Sequence, residues 1–220
     1  MRGYDDPCGI ARALGLIGER WALLVVRELV FGPKRFTDLR HGLHGISDNV
    51  LSQRLRELEQ ADIVRRRKLG PPSSTWSYEL TERGRELEPV LTALGQWGSR
   101  FPVSDSTHRE LSIDALIFAL TTTFDADIAG RLETVVQLNV GDDRFRAEVR
   151  GGHFRVARGN ADKADVTIIA EASTLQALVF AGQSLAQAEA AGEATIVGDR
   201  CVAEHLLRCF PPSVRSTRVT

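Results

Sequence analysis

The sequence predicts a mainly α-helical N-terminal domain that ends in a β-hairpin, followed by a second domain of the α+β class. Residues 36–67 have the pattern of a short helix, a tight turn, a longer amphipathic helix and a basic strand. Residues 101–107 place a proline within a polar run, which is typical of a linker. Residues 133–158 alternate apolar and polar side chains, which is typical of strands. The predicted boundaries are 1–101 for the first domain, 102–109 for the linker and 110–220 for the second domain.

The longer helix of this pattern has a clear start and a clear apolar stripe. Ser47 is a suitable N-cap, because its hydroxyl can accept a hydrogen bond from a free backbone N–H of the first turn. Asp48 then places a negative charge where the helix dipole favours it. Leu51, Leu55 and Leu58 recur at helical spacing, so we expect this side to be buried.

The opposite side of the same helix carries side chains suited to reading bases. Asn49, Ser52, Gln53 and Arg56 are short or planar hydrogen-bonding groups, whereas solvated helix faces usually carry Glu and Lys. Asn and Gln can pair with adenine and Arg with guanine in the major groove of DNA. The alternative is a plain surface helix, and the elements that follow make it less favoured.

A basic hairpin is predicted directly after this helix. A strand that begins at Ile63 runs into consecutive cations, a Gly/Pro/Ser cluster at residues 70–74 supplies the turn, and residues 76–80 return. Such a hairpin beside a candidate recognition helix is a wing, whose charges would lie along DNA phosphates. Thr81 is expected to cap the next helix. The predicted phosphate contacts are Ser47, Arg54, Arg65, Arg66, Arg67 and Lys68. For Arg54 the alternative is a side chain that is partly turned toward the protein.

Several motifs in order resemble the HxlR-type winged helix-turn-helix regulators. The resemblance covers roughly residues 7–101, and its main motifs lie at 16–29, 36–39, 45–55 and 78–84. It implies a bacterial transcriptional regulator that binds double-stranded DNA and dimerises through its terminal helices. Asp62 stands where the family generally has a glycine, so we expect Asp62 to adopt the left-handed conformation.

Composition sets limits on the class of protein. Hydrophobic residues make up 43% and charged residues 26%, as in ordinary soluble proteins. The sequence shows no long apolar run and no signal-peptide pattern, so we expect a cytoplasmic protein without a membrane partner. The formal charge is −1, but residues 1–100 carry +3 and residues 101–220 carry −4. The positive surplus therefore belongs to the half that is predicted to bind phosphate.

The second domain alternates strands and helices. Segments 133–140, 144–150 and 153–158 are separated by hairpin turn signals and predict an antiparallel meander. Phe145, Ala147, Val149, Phe154 and Val156 are predicted to face one side of it, and the arginines the other. The later elements are predicted as a strand at 165–170, helices near 174–180 and 184–190, a strand at 194–197 and a final helix from 199 to near 210.

Short motifs of this domain resemble the sterol-carrier-protein-2-type fold. They lie at residues 164–169, 175–178, 187–200 and 206–207, and the resemblance covers roughly 110–212. It implies a sheet covered by helices around an apolar cavity for a hydrophobic small-molecule effector. The residues that could line this cavity are equally suited to a filled core, which we favour. They are Phe118, Phe124, Leu178, Phe180, Leu206 and Phe210.

The sequence offers little for catalysis, metal binding or a cofactor. The five histidines have no metal-ligand spacing, and no phosphate-binding loop, nucleophile elbow or paired-carboxylate motif occurs. Cys8 is a candidate redox sensor, because the resemblance places it at the N-terminal cysteine of the HxlR type. Arg12, one helical turn on, would favour its thiolate. The alternative role of Cys8 is packing at a dimer interface, which we favour.

Two functions follow from these observations. The favoured one is a homodimeric, non-enzymatic transcriptional regulator whose winged domains read a pseudo-palindromic operator. An apolar ligand in the second domain or oxidation of Cys8 would modulate it. The alternative is a lipid- or acyl-binding carrier in which the winged helix is only an interaction module. The polar, cation-flanked face of helix 47–60 favours the regulator, since a protein-docking helix would expose an apolar stripe.

Overall fold

The computed structural model describes residues 4–68, 70, 75–101 and 110–211, and its contacts divide the chain after Leu91 into two units. The predicted linker at 102–109 and most of the predicted wing turn, residues 71–74, lie outside the described residues. The domain boundaries given above therefore stay predictions.

The first unit is a winged helix-turn-helix, as predicted. The short helix, the longer helix and the basic hairpin follow one another in the predicted order, and Thr81 caps the next helix by accepting from the Gly84 N–H at 3.0 Å. The elements are α1 (Gly9–Ile17), α2 (Ala22–Leu29), α3 (Phe36–Gly42), α4 (Asp48–Gln60), β1 (Val64–Lys68), β2 (Trp76–Leu80), α5 (Glu82–Arg85) and α6 (Glu88–Gly98), of which α6 contains the division.

Asp62 confirms the predicted left-handed position at the end of α4. Its φ is 55°, and two backbone hydrogen bonds close the helix around it. The Asp62 N–H donates to the Glu59 carbonyl at 3.0 Å, and the Ile63 N–H donates to the Leu58 carbonyl at 2.9 Å. This is the pairing of a Schellman motif, and the buried side chains of Leu58 and Ile63 occupy its usual apolar positions. The motif turns the chain directly into β1.

The second unit is a five-stranded sheet with helices, in agreement with the predicted α+β class. The strand order is β5-β4-β3-β6-β7. The predicted meander is confirmed for β3, β4 and β5, but β6 pairs with β3 in parallel, so the sheet is mixed. The elements are α7 (Ile113–Thr123), α8 (Ala126–Ala129), β3 (Thr134–Val140), β4 (Asp143–Arg150), β5 (His153–Arg158), β6 (Val166–Ala170), α9 (Ala172–Gln176), a π-helical turn (Ala177–Ala181), α10 (Leu185–Ala190), β7 (Ala194–Gly198) and α11 (Arg200–Arg208).

One face of this sheet forms the core, and the other is open. Phe145 and Ile168 are buried on the core face, whereas Ile169 and Val197 on the opposite face are 40% and 57% exposed. The prediction that the arginines of the meander face away from the core is wrong for Arg158. Arg158 pairs with Phe145 in the β4–β5 register, and its guanidinium lies 4.7 Å from the Phe145 ring centroid. The buried carboxylate of Asp114 holds it there, with 2.6 Å between the charged atoms.

Candidate nucleic-acid interface

The start of the recognition helix α4 is fixed by side chains on both sides of the turn. The Ser47 hydroxyl accepts a hydrogen bond from the Val50 N–H at 3.4 Å, which confirms its prediction as N-cap. Arg40 of α3 donates from Nε to Asp48 Oδ1 at 2.8 Å. This contact joins the C-terminal turn of α3 to the first turn of α4 across the helix-turn-helix.

The predicted reading residues share one side of α4. Asn49, Gln53 and Arg56 are exposed and Ser52 is half-buried, at spacings of three and four residues that place neighbours on one helix face. The leucine stripe lies on the other side, and Leu51, Leu55 and Leu58 are each at most 1% exposed. The core therefore fixes the rotation of the helix, and the reading side chains point away from it.

Arg54 requires a correction to the predicted phosphate contacts. Its side chain is buried, because position 54 lies three residues after Leu51 and four before Leu58, next to the apolar stripe. The guanidinium forms an ion pair with Glu57, and its Nη1 lies 3.8 Å from a carboxylate oxygen of Glu19. These carboxylates hold the charge inside the domain, so we remove Arg54 from the phosphate contacts.

The two faces of the wing carry their cations in different surroundings. Arg65 and Arg67 share a face with Glu79, at 2.7 Å and 3.2 Å between charged atoms. Burial raises the pKa of Glu79, but hydrogen bonds and charge from both arginines outweigh it and hold that pKa below its ordinary value. Glu79 therefore stays charged and offsets part of the positive charge on this face.

On the other face of the wing, Arg66 lies over two aromatic rings. Its guanidinium carbon is 4.9 Å from the Trp76 ring centroid and 5.7 Å from that of Tyr78, both within cation–π range. Lys68 is exposed and faces Trp76 in the strand register. The rings restrict the Arg66 side chain without neutralising its charge.

A buried carboxylate anchors the base of the wing. Glu28 of α2 is fully buried and binds Arg27 and Lys34, each at 2.8 Å between charged atoms. The backbone of Lys34 in turn bridges β2, since its N–H donates to the Tyr78 carbonyl at 2.9 Å and its carbonyl accepts from the Tyr78 N–H at 2.7 Å. Sequence reasoning missed Glu28, because a charged residue in an apolar helix gives no sign of its partners.

The cysteines differ in their ionisation. Cys8 is exposed at the N-cap of α1, and the backbone N–H groups of Ala11 and Ile10 lower its thiol pKa. The lowering comes from the helix start and not from Arg12, the residue that the sequence suggested. Burial raises the pKa of Cys209 to about 11, so that thiol is protonated at neutral pH. Cys201 is a free, exposed thiol on α11.

The predicted lining residues of the second domain are largely covered. Phe118, Leu178, Leu206 and Phe210 are buried, and Phe124 and Phe180 are half-buried. The rings of Phe124 and Phe210 also pack with that of Phe154, which the sequence predicted on the apolar face of the meander but not among the lining residues. Centroid distances in this aromatic cluster are 5.4 Å for Phe124–Phe154, 5.8 Å for Phe124–Phe210 and 5.2 Å for Phe154–Phe210. These are contact distances for packed rings.

Within the described ranges of the chain, no group of three or more His, Cys, Asp or Glu side chains is close enough together to hold a metal ion. Among the same residues, every helix is too short or too polar to cross a bilayer.

Two family models match the chain in succession. Residues 16–106 match the model of the HxlR-like helix-turn-helix family, and residues 102–213 match the model of the alkyl sulfatase C-terminal family. The second match agrees with a separate C-terminal region but does not confirm the sterol-carrier resemblance, which stays a prediction.

Similar proteins are HTH-type transcriptional regulators. An uncharacterized one of Mycobacterium tuberculosis is 41% identical over 92 residues, which cover 42% of this chain and 58% of that protein. YodB of Bacillus subtilis is 38% identical over 89 residues, which cover 40% of this chain and 80% of YodB. The solved structure of quinone-bound YodB is 36% identical, with a TM-score of 0.37 over 42% of this chain and 97% of that one.

The extent of these matches separates the two halves of the chain. The chain spans little more than half the length of the mycobacterial relatives, and the alignment to YodB takes in most of that shorter protein. Each alignment covers less than half of the present chain, as expected if one domain is shared. The chain belongs to the HxlR-like helix-turn-helix family of transcriptional regulators, and it carries a region of the alkyl sulfatase C-terminal family behind its winged helix.

Proposed function

We propose that the chain is a transcriptional regulator that binds a pseudo-palindromic operator as a homodimer. The observation that carries this proposal is the exposed polar side of α4, formed by Asn49, Ser52, Gln53 and Arg56 opposite a fully buried leucine stripe. A helix of this kind fits the major groove, where amide and guanidinium groups distinguish base pairs. We propose no catalytic step, and the relatives support this because they are named as regulators.

The wing and the helix start supply the phosphate contacts of this proposal. Arg66 and Lys68 carry their charges on the wing face that lacks Glu79, so we assign them the larger share of the phosphate binding. Arg65 and Arg67 remain more than half exposed but share Glu79, which reduces their contribution. The Ser47 hydroxyl is exposed beside the first turn of α4, where backbone N–H groups favour an anion.

Exposed apolar side chains on two helices support the homodimer. Ile10 and Leu14 of α1 are 72% and 44% exposed and lie four residues apart. Val90, Leu94 and Trp97 recur on one side of α6 and are also exposed. Solvent-exposed stripes of this kind mark interaction surfaces, and each is a candidate for burial against a second copy of the chain.

Arg56 gives the direct test of base reading. We expect Arg56→Ala to weaken operator binding by about 1–3 kcal/mol and to relax specificity at one base position, because a guanidinium pairs with a single guanine. Lys68→Ala is the comparison variant. Lys68→Ala should weaken binding to all DNA sequences by a similar factor. It should also reduce the slope of log affinity against log salt concentration by about 1. The operator itself comes from selection of bound sequences from a random DNA library. Unchanged affinity and specificity in Arg56→Ala would show that α4 is not the reading helix.

We propose oxidation of Cys8 as a route of control, in place of the packing role that the sequence favoured, because its thiol is exposed at the N-cap of α1. An exposed thiol with a lowered pKa is more readily oxidised than a buried one with a raised pKa. We expect hydrogen peroxide to change operator affinity in the wild type and in Cys209→Ser but not in Cys8→Ser. The measurement is DNA-binding anisotropy with and without peroxide, followed by recovery with dithiothreitol. An equal response of Cys8→Ser and the wild type would remove Cys8 from this role.

The second domain offers another route, in which an apolar effector binds among Phe118, Phe124, Leu178, Phe180, Leu206 and Phe210. Such a ligand would have to part the aromatic cluster that Phe124 and Phe210 form with Phe154, since those rings are in contact. The carrier alternative needs the same site. Both depend on whether the cluster is a filled core.

A further inference from the structure

Glu57 connects an exposed reading residue to a buried charge within α4. Its Oε1 accepts a hydrogen bond from Gln53 Nε2 at 3.0 Å, and its Oε2 forms an ion pair with the guanidinium of Arg54. Gln53 is exposed on the reading side, whereas Arg54 is only 8% exposed among the leucines. The carboxylate of Glu57 therefore has one oxygen in contact with each of these side chains.

Arg54 keeps Glu57 in this position. A guanidinium cannot lose its proton at ordinary pH, so a buried one needs a counter-charge close by. Glu57 is that counter-charge, since the other nearby carboxylate, Glu19, is 3.8 Å away and its side chain is 59% exposed. Moving Glu57 away would leave the Arg54 charge poorly compensated inside the domain.

The contact with Glu57 sets the orientation of the Gln53 amide. A carboxylate only accepts hydrogen bonds, so the amide must turn its NH2 group toward Glu57 and its oxygen away. One N–H and the carbonyl oxygen of Gln53 then remain for a partner. This donor–acceptor pair matches N7 and the N6 amino group of adenine. The contact also restricts a flexible side chain before binding, which lowers the entropy cost of pairing.

We propose that Glu57 is a positioning residue for base reading, which holds Gln53 in the orientation that recognises adenine while Arg54 holds Glu57. The inference rests on the proposed function of α4 and adds to it the device that orients one of its reading side chains. Glu57 itself contacts no base in this proposal.

The test is Glu57→Gln, which keeps the size of the side chain. The new amide would give its oxygen to Arg54 and turn its NH2 toward Gln53, so the Gln53 amide would reverse and exchange the positions of its oxygen and its N–H donors. Adenine would then meet two mismatched groups, whereas the O6 acceptor of guanine would still meet an N–H, so preference at that position should shift from adenine toward guanine. We expect a loss of about tenfold in discrimination there, the size of one bidentate contact.

Operator variants with each base at each position, measured by anisotropy, give the readout. The shift should vanish when Glu57→Gln is made in a Gln53→Ala background, because coupled residues are not additive. Glu59→Gln makes the same charge change on the same helix and should keep the wild-type preference. Thermal melts verify that each variant folds. If Glu57→Gln fails to fold, Glu57→Asp replaces it; this variant retains a carboxylate acceptor and should keep most of the preference for adenine.

Two outcomes would overturn the proposal. In the first, Glu57→Gln keeps the wild-type base preference at every operator position. In the second, Glu57→Gln weakens binding to all operator variants equally and does so to the same extent when Gln53 is already alanine. Failure of the proposed function looks different, because the wild-type chain itself would then select no preferred sequence from the random library.

Discussion

Replacing Glu28 by alanine is expected to lower the free energy of unfolding of the winged domain by about 3–5 kcal/mol. The carboxylate is fully buried and binds Arg27 and Lys34, whose side chains are only 22% and 16% exposed. Its removal leaves two largely desolvated cations next to each other, and this costs more than the pair itself contributes. Urea unfolding followed by tryptophan fluorescence measures the change, since Trp21 and Trp76 both lie in the first unit.

The pH dependence of stability gives the same prediction a second readout. Burial raises the pKa of Glu28, but the charges of Lys34 and Arg27 and their hydrogen bonds outweigh it, so the net pKa is lowered. The stabilisation is therefore present above the ordinary pKa of a glutamate and is lost as the pH falls through the lowered one. In Glu28→Ala, the free energy of unfolding should therefore fall less steeply as the pH is lowered through this range. The exposed Glu82→Ala is the control, and equal losses in both variants would contradict the assignment.

The effect of Glu28 should extend to DNA binding. Lys34 bridges Tyr78 of β2 through two backbone hydrogen bonds, and Tyr78 lies beneath the Arg66 guanidinium. Loosening Lys34 therefore frees the base of the wing that carries Arg66 and Lys68. Stability and the proposed phosphate contacts would then depend on the same buried carboxylate.

Local signals made the recognition helix predictable. Its N-cap, its leucine spacing and the left-handed Asp62 all depend on residues close together in the chain. The same spacing could have shown that Arg54 lies on the apolar stripe. What the sequence could not show is that Glu57 would turn to Gln53, because both are ordinary polar residues at a common helical spacing.

Contacts between distant segments were harder to predict. Alternation within β5 already places Arg158 on the face of Phe154 and Val156, but only the β4–β5 register shows that it lies over Phe145. The parallel pairing of β3 with β6 brings together segments that are separated by two strands. The position of Glu79 could not be predicted for the same reason, because only the pairing of β1 with β2 brings its carboxylate to Arg65 and Arg67.

Replacing Phe210 by alanine is expected to lower the free energy of unfolding of the C-terminal domain by about 3–5 kcal/mol. Its ring is 2% exposed and packs on Phe124 and Phe154, so the substitution removes buried surface and two aromatic contacts. Far-ultraviolet circular dichroism in urea measures the loss. Val197→Ala, at a site 57% exposed on the open face of the sheet, should change stability by no more than about 0.5 kcal/mol.

The same variant decides between a filled core and an effector site. If the cluster is filled, palmitate and benzene should leave the unfolding midpoint of the wild type unchanged, because an apolar ligand has no room among rings in contact. Phe210→Ala should create a dry apolar cavity, and benzene should restore part of the lost stability by binding the folded state alone. A wild-type protein that palmitate stabilises would contradict the filled core. In that case the aromatic cluster opens to admit a ligand, and the second domain becomes the place where an apolar effector acts.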